Sequence, residues 1–150
     1  MATPIIRRVR SADSESWLRM RRQLWPEGSE REHRQEIQAF LDGRTTEPAA
    51  VLVAESQGIL VGLAELSIRP SAEGCRTNRV AYLEGWFVAP EERLKGFGGA
   101  LVRAAENWAR DAGCLEFASD TPSTNIAAIH AHVGVGFESA GPLICFRKTL

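Results

Sequence analysis

The chain has 150 residues, of which 44% are hydrophobic, and its formal net charge at pH 7 is −1. This length allows one compact domain with its own core but is short for two. A charge so close to zero excludes a global attraction to nucleic acid or to an anionic membrane, so charge-driven recognition has to come from local patches.

The N-terminal part is predicted to contain a strand over 4–10 and helices over 14–25 and 29–41. Asp13 precedes the first helix and is the expected N-cap. Ser29 begins the second helix, and Glu32 stands three residues later, as in a capping box. Gly43 is expected to stop this helix because glycine adopts the left-handed conformation that often follows a helix.

A β meander is predicted next, with strands over 49–55, 59–68 and 80–88. Gln57 and Gly58 form the expected tight turn between the first two strands. A polar loop over 69–79 leads into the third strand, and Pro90 closes it.

Helices and strands alternate in the C-terminal part. The predicted elements are a helix over 96–112, a strand over 114–119, a helix over 124–135, and closing strands over 137–140 and 143–148. Gly113 and Gly136 are the expected helix stops. The order βααβββαβαββ predicts an α/β (α+β) fold with a mixed, mostly antiparallel sheet and helices on both faces. We expect one domain over 1–150.

The cysteines and the hydrophobic runs indicate a reduced, cytoplasmic protein. Cys75, Cys114 and Cys145 are far apart and form no CxxC pair, so neither a disulfide framework nor a zinc site is predicted. No apolar stretch has the length of a signal peptide or of a membrane span. We therefore expect no metal and no membrane partner.

Glycines begin the helix that follows the strand over 80–88, in the segment PEERLKGFGGAL over 90–101. Unpaired N–H groups at a helix start, with the helix dipole, favour an anion, and glycine lets a phosphate approach closely. Arg93 and Lys95 add positive charge. These features predict a pyrophosphate site; the alternative is a strand-to-helix turn that binds nothing. Neither a Walker A loop nor a Rossmann fingerprint fits, because GK[ST] is missing and the preceding strands are antiparallel.

The pattern R-x-x-G-x-G over 93–98 resembles the acetyl-CoA signature of the GCN5-related N-acetyltransferases (GNAT). The resemblance covers nearly the whole chain and includes the element order and the segment HVGVGF over 132–137. It implies the GNAT fold with acetyl-CoA as cosubstrate. In that fold the pantetheine arm lies between two splayed parallel strands, here 82–88 and 114–119.

The resemblance also assigns cofactor-binding residues. Backbone groups of Phe87 and Val88 would contact the pantetheine and thioester, and Asn125 the pantetheine. His132 stands where many relatives have a tyrosine that protonates the thiolate, although packing of the helix is an alternative role. The pyrophosphate would bind to the amides of Arg93, Lys95, Gly96, Phe97, Gly98 and Gly99.

Two carboxylates are candidates for the acceptor side. Glu84 interrupts an apolar strand, where alternation places it on one face with Tyr82 and Trp86. Asp120 follows a strand at its carboxyl end, where open α/β sheets bind ligands. A carboxylate can hold an ammonium and take the proton that an amine loses before attack. The alternatives are an ion pair of Glu84 with an arginine, and an N-cap or Asx turn for Asp120.

The segments QLWP (23–26), LEGWFV (83–88) and ASDT (118–121) resemble the aminoglycoside 6′-N-acetyltransferases. This resemblance implies that Trp25, Glu84 and Asp120 bind the polycation and that the two carboxylates take part in catalysis. Trp25 could instead anchor the first helix in the core. The loop over 70–78 departs from some relatives, since it has no aromatic residue to face the drug.

The leading hypothesis is acetyl transfer from acetyl-CoA to the 6′-amine of an aminoglycoside by direct attack in a ternary complex. A second hypothesis is the same chemistry on another amine, such as a polyamine, a small metabolite or a protein N-terminus. A third is an acyl-CoA sensor without turnover, which would lack acceptor-side carboxylates. A homodimer is possible in this subgroup.

Overall fold

The computed structural model describes residues 3–150 of the protein. Its sheet has five strands. They are β1 (Ile5–Arg8), β2 (Ala50–Ser56), β3 (Ile59–Arg69), β4 (Val80–Val88) and β5 (Glu116–Ser119). They lie side by side in chain order. The first four pair antiparallel, and β4 and β5 run parallel. The predicted mixed, mostly antiparallel sheet is therefore confirmed.

The helices are α1 (Ser14–Leu24), α2 (Glu30–Leu41), α3 (Phe97–Asp111) and α4 (Ile126–Gly134). On one face of the sheet α1 and α2 bury Trp17 with Leu63 and Phe87. On the other face α3 packs through Phe97 and Leu101. This arrangement confirms the predicted α/β (α+β) class with helices on both faces. Within residues 3–150 no helix is both long and apolar enough to span a bilayer.

Both predicted N-cap residues stand at the N-cap positions of α1 and α2, but only the side chain at the start of α2 makes a capping hydrogen bond. The Ser29 side chain accepts from the Glu32 N–H and the Glu32 carboxylate accepts from the Ser29 N–H, which is the predicted capping box. Asp13 stands before α1 but makes no capping hydrogen bond. Its carboxylate accepts instead from the Arg7 guanidinium and the Arg10 N–H. A charged donor is a stronger partner than a helix amide.

The two predicted closing strands, 137–140 and 143–148, are not formed. No helix or strand follows α4 in the described chain, so the element order ends βααβββαβα. A strand requires a neighbour whose backbone groups are free to pair, and this segment pairs with none in residues 3–150. Phe137 packs against the core, but the apolar side chains further along stay in solvent, with Leu143, Ile144 and Phe146 exposed by 63%, 77% and 91%.

A β-bulge in β4 sets the direction of one predicted site residue. Glu65 of β3 pairs with Gly85, while the following residue, Leu66, pairs with Leu83. Glu84 therefore has no partner across the ladder. Bulges of this kind reverse the alternation of side chains and often lie beside active sites.

The bulge corrects the predicted common face of Glu84, Tyr82 and Trp86. Trp86 and Leu83 both pack with the α3 cluster, so Tyr82, next to Leu83, points to the opposite face. Glu84 accepts a hydrogen bond from Ser67, which lies opposite Tyr82 in the ladder. Glu84 and Tyr82 thus share the face of the sheet that α1 covers, and Trp86 does not.

Candidate active site

Strands β4 and β5 part where β5 ends. Their parallel ladder stops at the pair Leu83–Ser119, whereas β4 continues to Val88. The edge of residues 84–88 that faces away from β3 therefore has no strand partner in the described part of the chain. The Phe87 side chain is buried in the core, so only its backbone can meet a ligand. This parted edge fits an extended pantetheine arm.

The backbone N–H groups at the start of α3 are free to bind an anion. Within residues 3–150, no amide from 94 to 99 donates to a protein acceptor. The first helical bond runs from the Ala100 N–H to the Gly96 carbonyl oxygen at 3.0 Å. Gly96 has a φ of 91°, in the left-handed region that favours glycine. Such a cluster of free amides is the usual protein site for a phosphate group.

The side chains of this loop hold it in place and set its charge. Arg93 is exposed, and its Nε donates to the Val88 carbonyl oxygen at 3.0 Å. Lys95 pairs with Glu92 at 3.0 Å between Nζ and Oε2. Phe97 is 4% exposed and fixes the first turn of α3 to the core. Both cations are therefore bound to acceptors on or next to the loop itself.

Replacing Gly98 with valine should weaken CoA binding by about tenfold or more, as expected when one or two charge-assisted hydrogen bonds are lost. A Cβ at Gly98 would lie 3.2 Å from Trp86 Cζ2, so a branched side chain must displace the indole or the loop. Calorimetry with CoA measures the effect. Gly134→Val is the matched control, because a Cβ there meets nothing within 4 Å. An affinity of Gly98→Val equal to that of the control would contradict the phosphate site.

Asn125 and His132 both have structural partners. The Asn125 Oδ1 accepts from the Ala128 N–H at 3.1 Å and caps α4. His132 Nδ1 lies 2.7 Å from the Ala128 carbonyl oxygen and Nε2 lies 2.8 Å from Ser119 Oγ. Its ring also meets Trp86 edge-on at 5.2 Å between centroids. These contacts favour the interpretation of His132 as a packing residue and leave the Asn125 amide nitrogen for a ligand.

Glu84 forms an ion pair with an arginine, as its alternative interpretation predicted. Arg69 Nε donates to Oε1 at 2.8 Å and Nη2 donates to Oε2 at 2.7 Å. Ser67 donates a further hydrogen bond to Oε1. This bidentate pair is only partly shielded, since the Glu84 side chain is 29% exposed and that of Arg69 40%. The pKa of Arg69 is raised, chiefly by its hydrogen bond to Glu84.

Asp120 is exposed at the end of β5 and accepts a hydrogen bond from the Tyr82 hydroxyl. No backbone N–H in residues 3–150 donates to the Asp120 side chain. Asp120 therefore forms neither the N-cap nor the Asx turn that was the alternative to a functional role. The pKa of Tyr82 is raised by burial and by its bond to Asp120. The tyrosine therefore stays protonated and keeps its hydrogen directed at the carboxylate.

Trp25 follows the last residue of α1, Leu24, and is half-buried. The ring rests on Gly85, where an added Cβ would lie 2.6 Å from Cη2. The Arg21 guanidinium lies 5.0 Å from the ring centroid. The Trp25 carbonyl oxygen lies 3.1 Å from His33 Nε2. Trp17 is fully buried and anchors α1 in the core, which was the alternative role for Trp25.

A buried ion pair lies beneath Trp25. Glu65 is 3% exposed and accepts from Trp17 Nε1 at 2.9 Å and from Arg21 Nη1 at 3.4 Å. Burial raises the pKa of Glu65, although Arg21 and Trp17 act in the opposite direction. Arg21 also donates to Glu36. The guanidinium thus connects the centre of the sheet to the Trp25 ring.

The prediction from sequence missed Arg69, Tyr82 and Gly85. A signal for Arg69 was present, because Glu65, Ser67 and Arg69 are polar at every second position of an apolar strand and must share a face. No signal in the sequence indicated that the Trp25 ring packs on Gly85. Among residues 3–150 no group of three metal-ligating side chains comes together.

Comparison with known proteins agrees with this geometry. A family model described as the acetyltransferase (GNAT) family matches residues 15–137. An aminoglycoside N(6′)-acetyltransferase type 1 from Klebsiella aerogenes is 53% identical over 150 residues, covering 99% of both chains. Aminoglycoside N-acetyltransferase AAC(6′)-Iy in complex with CoA has a TM-score of 0.91 at 32% identity, covering 100% of this chain and 97% of that one. The same enzyme with the bisubstrate analogue CoA-S-monomethyl-acetylneamine has a TM-score of 0.90 at 32% identity, covering 99% of this chain and 100% of that one.

Proposed function

This chain belongs to the acetyltransferase (GNAT) family, and we propose that it transfers the acetyl group of acetyl-CoA to the 6′-amino group of an aminoglycoside. The relative that is 53% identical is named for this activity, and the likeness spans 99% of both chains. Acetylation removes the positive charge of the amine. The proposed role is therefore antibiotic resistance.

One observation carries this proposal. The parted edge of β4, which fits the pantetheine arm, lies next to an exposed carboxylate at the end of β5, Asp120. A thioester at that edge and an ammonium at Asp120 would therefore meet in one cleft. Trp25 and Glu84 border the same cleft through their contacts at Gly85 and Arg69. An apolar ring beside carboxylates suits a polycationic sugar.

Asp120 has the central chemical role in the proposed mechanism. Its carboxylate holds the reacting ammonium and takes its proton, directly or through a water molecule. The free amine then attacks the acetyl carbon, so that a C–N bond forms and the C–S bond breaks with the electron pair leaving on sulfur. A backbone N–H at Val88 faces the negative charge that develops on the carbonyl oxygen. The amides from 94 to 99 and Asn125 hold the cosubstrate.

The test is acetyl transfer to a pair of drugs that differ only at the 6′-position. A kanamycin-type drug with a free 6′-amine should be acetylated, and the same drug with that amine blocked should not. Polyamines and peptides with free N-termini serve as competing acceptors. Turnover of a polyamine or a peptide in preference to the drug would contradict the aminoglycoside assignment and favour the alternative acceptors.

We further propose that residues 1–150 form one acetyltransferase domain that works in the cytoplasm. The core clusters that cover both faces of the single sheet support one domain. Cys75, Cys114 and Cys145 are all unpaired, which supports a reducing compartment.

A homodimer is proposed from the uncovered apolar surface of the C-terminal part. No residue of α4 is buried although the helix is apolar, and the side chains of 143–146 lie largely in solvent. An exposed apolar patch of this kind marks an interaction surface. A second copy would cover it.

Phe146→Glu should convert the dimer into a monomer, because a carboxylate in an apolar interface is costly to bury. Light scattering after gel filtration measures the mass. Arg147→Glu, which adds the same group at the neighbouring position, is the control. A wild-type protein that is monomeric at about 10 μM, where a contact with a Kd of about 1 μM would be mostly dimeric, would contradict the proposed dimer.

A further inference from the structure

Arg69 occupies the cation-binding position of Glu84. The guanidinium makes two parallel hydrogen bonds to the carboxylate, at 2.8 and 2.7 Å. Ser67 donates to the same group. An arginine held in this fork geometry is more strongly fixed than a lysine would be. Glu84 therefore already has a cation of the protein as its partner.

Tyr82 connects this pair to Asp120. The Arg69 guanidinium carbon lies 3.5 Å from the centroid of the Tyr82 ring, within cation–π distance. The hydroxyl at the other end of the ring donates to Asp120. One aromatic side chain thus fixes the guanidinium and the second carboxylate relative to each other.

Asp120 differs from Glu84 in what remains open to a ligand. It is exposed, and Tyr82 is its only side-chain donor in residues 3–150. Two carboxylates and one guanidinium leave the site with one net negative charge. The arrangement is suited to one ammonium group at Asp120 and disfavours a second at Glu84.

We propose that Arg69 is a specificity-determining residue of the acceptor site. Its charge neutralises Glu84, so that Asp120 alone takes an ammonium group of the drug. This inference rests on the proposed aminoglycoside activity. It adds that Arg69 limits the affinity for highly charged acceptors and that Glu84 acts mainly by holding Arg69.

Removing the charge of Arg69 and removing the charge of Glu84 should change the drug affinity in opposite directions. Arg69→Gln exposes the Glu84 charge and should tighten neamine binding by about three- to tenfold, the size expected for a partly screened charge. Glu84→Gln leaves Arg69 uncompensated beside Asp120 and should weaken binding by a similar factor. The double variant Arg69→Gln/Glu84→Gln should return close to wild type. Arg69→Lys, which keeps the charge, is the matched control and should also resemble wild type.

Neamine binding is measured by calorimetry on protein saturated with CoA, so the readout does not need turnover. The gain in Arg69→Gln should shrink when NaCl is raised from about 50 to about 500 mM, because salt screens partly exposed charges. The affinity for CoA and the melting temperature show that each variant is folded.

The outcomes separate this inference from the proposed function. A double variant that binds as weakly as Glu84→Gln would show that Glu84 holds an ammonium directly, and it would overturn the inference. An unchanged affinity in Arg69→Gln would overturn it as well. If wild-type protein neither binds nor acetylates neamine, the aminoglycoside function fails, and the inference fails with it.

Discussion

Asp120→Asn should lower kcat/KM for a 6′-amino aminoglycoside by about tenfold or more. The change keeps the shape of the side chain and removes the charge that we propose holds the ammonium. If Asp120 also accepts the proton, the loss extends toward the ~10²- to 10⁴-fold range of general-base assistance. Loss of anchoring alone appears mostly in KM, and loss of proton transfer in kcat. Steady-state kinetics with varied drug and saturating acetyl-CoA separate the two.

Two control variants sharpen this prediction. Asp111→Asn makes the same chemical change at the exposed end of α3 and should leave both constants unchanged. Tyr82→Phe keeps the charge of Asp120 but removes its hydrogen-bond donor, so we expect a smaller loss. Wild-type kcat/KM in both Asp120→Asn and Glu84→Gln would remove the physical support for the acceptor site.

Arg21→Met should destabilise the protein by about 3 kcal/mol at pH 8, because it leaves the buried Glu65 without its counter-charge. Glu65 is 3% exposed and Arg21 is 5% exposed, so solvent cannot replace the lost partner. Urea unfolding of the variant and of wild type gives the difference in free energy of unfolding.

The loss in Arg21→Met should become smaller as the pH falls. Burial raises the pKa of Glu65 in the folded state above its value in the unfolded chain. Such a group contributes stability below the unfolded pKa and loses it as the pH rises through the folded pKa. Removing Arg21 raises the folded pKa further, since Arg21 favours the charged form. At pH 5 a larger fraction of Glu65 is therefore protonated in the folded variant, and the penalty is reduced.

The double variant Arg21→Met/Glu65→Gln tests this explanation. It removes both charges and keeps a side chain that can accept from Trp17 Nε1. We expect it to be more stable than Arg21→Met at pH 8 and to show no greater pH dependence than wild type. A loss in Arg21→Met that is equal at pH 5 and pH 8 would contradict the proposed role of Glu65.

Most elements of the fold were predictable because their signals lie within a few residues of one another. The Ser29–Glu32 capping box and the Gln57–Gly58 turn formed as expected. Gly113 and Gly136, both with positive φ, stop their helices. The closing strands failed because alternating apolar residues predict a strand only where another strand can pair with it.

The candidate site residues also divide into those with a local sequence signal and those that depend on contacts between strands. The glycine-rich loop over 93–99 and the carboxylate after β5 were identified from sequence, since a strand end followed by a helix start is local. The roles assigned to these residues stay predictions until the variants are measured. Arg69 and Tyr82 were missed because their importance arises from contacts with Glu84 and Asp120 that link different strands.

The sequence by itself specified the capping box of α2, the Gln57–Gly58 turn and the helix-stopping glycines, and it identified the glycine-rich loop and the two carboxylates as candidate site residues. Each depends on backbone conformations and side chains that are neighbours in the chain. What it could not specify was the partner of each carboxylate. Arg69 and Glu84 are 15 residues apart and Tyr82 and Asp120 are 38 apart. Their meeting depends on strand register, and the bulge at Glu84 shifts that register by one residue. Register follows from the packing of both faces of the sheet at once.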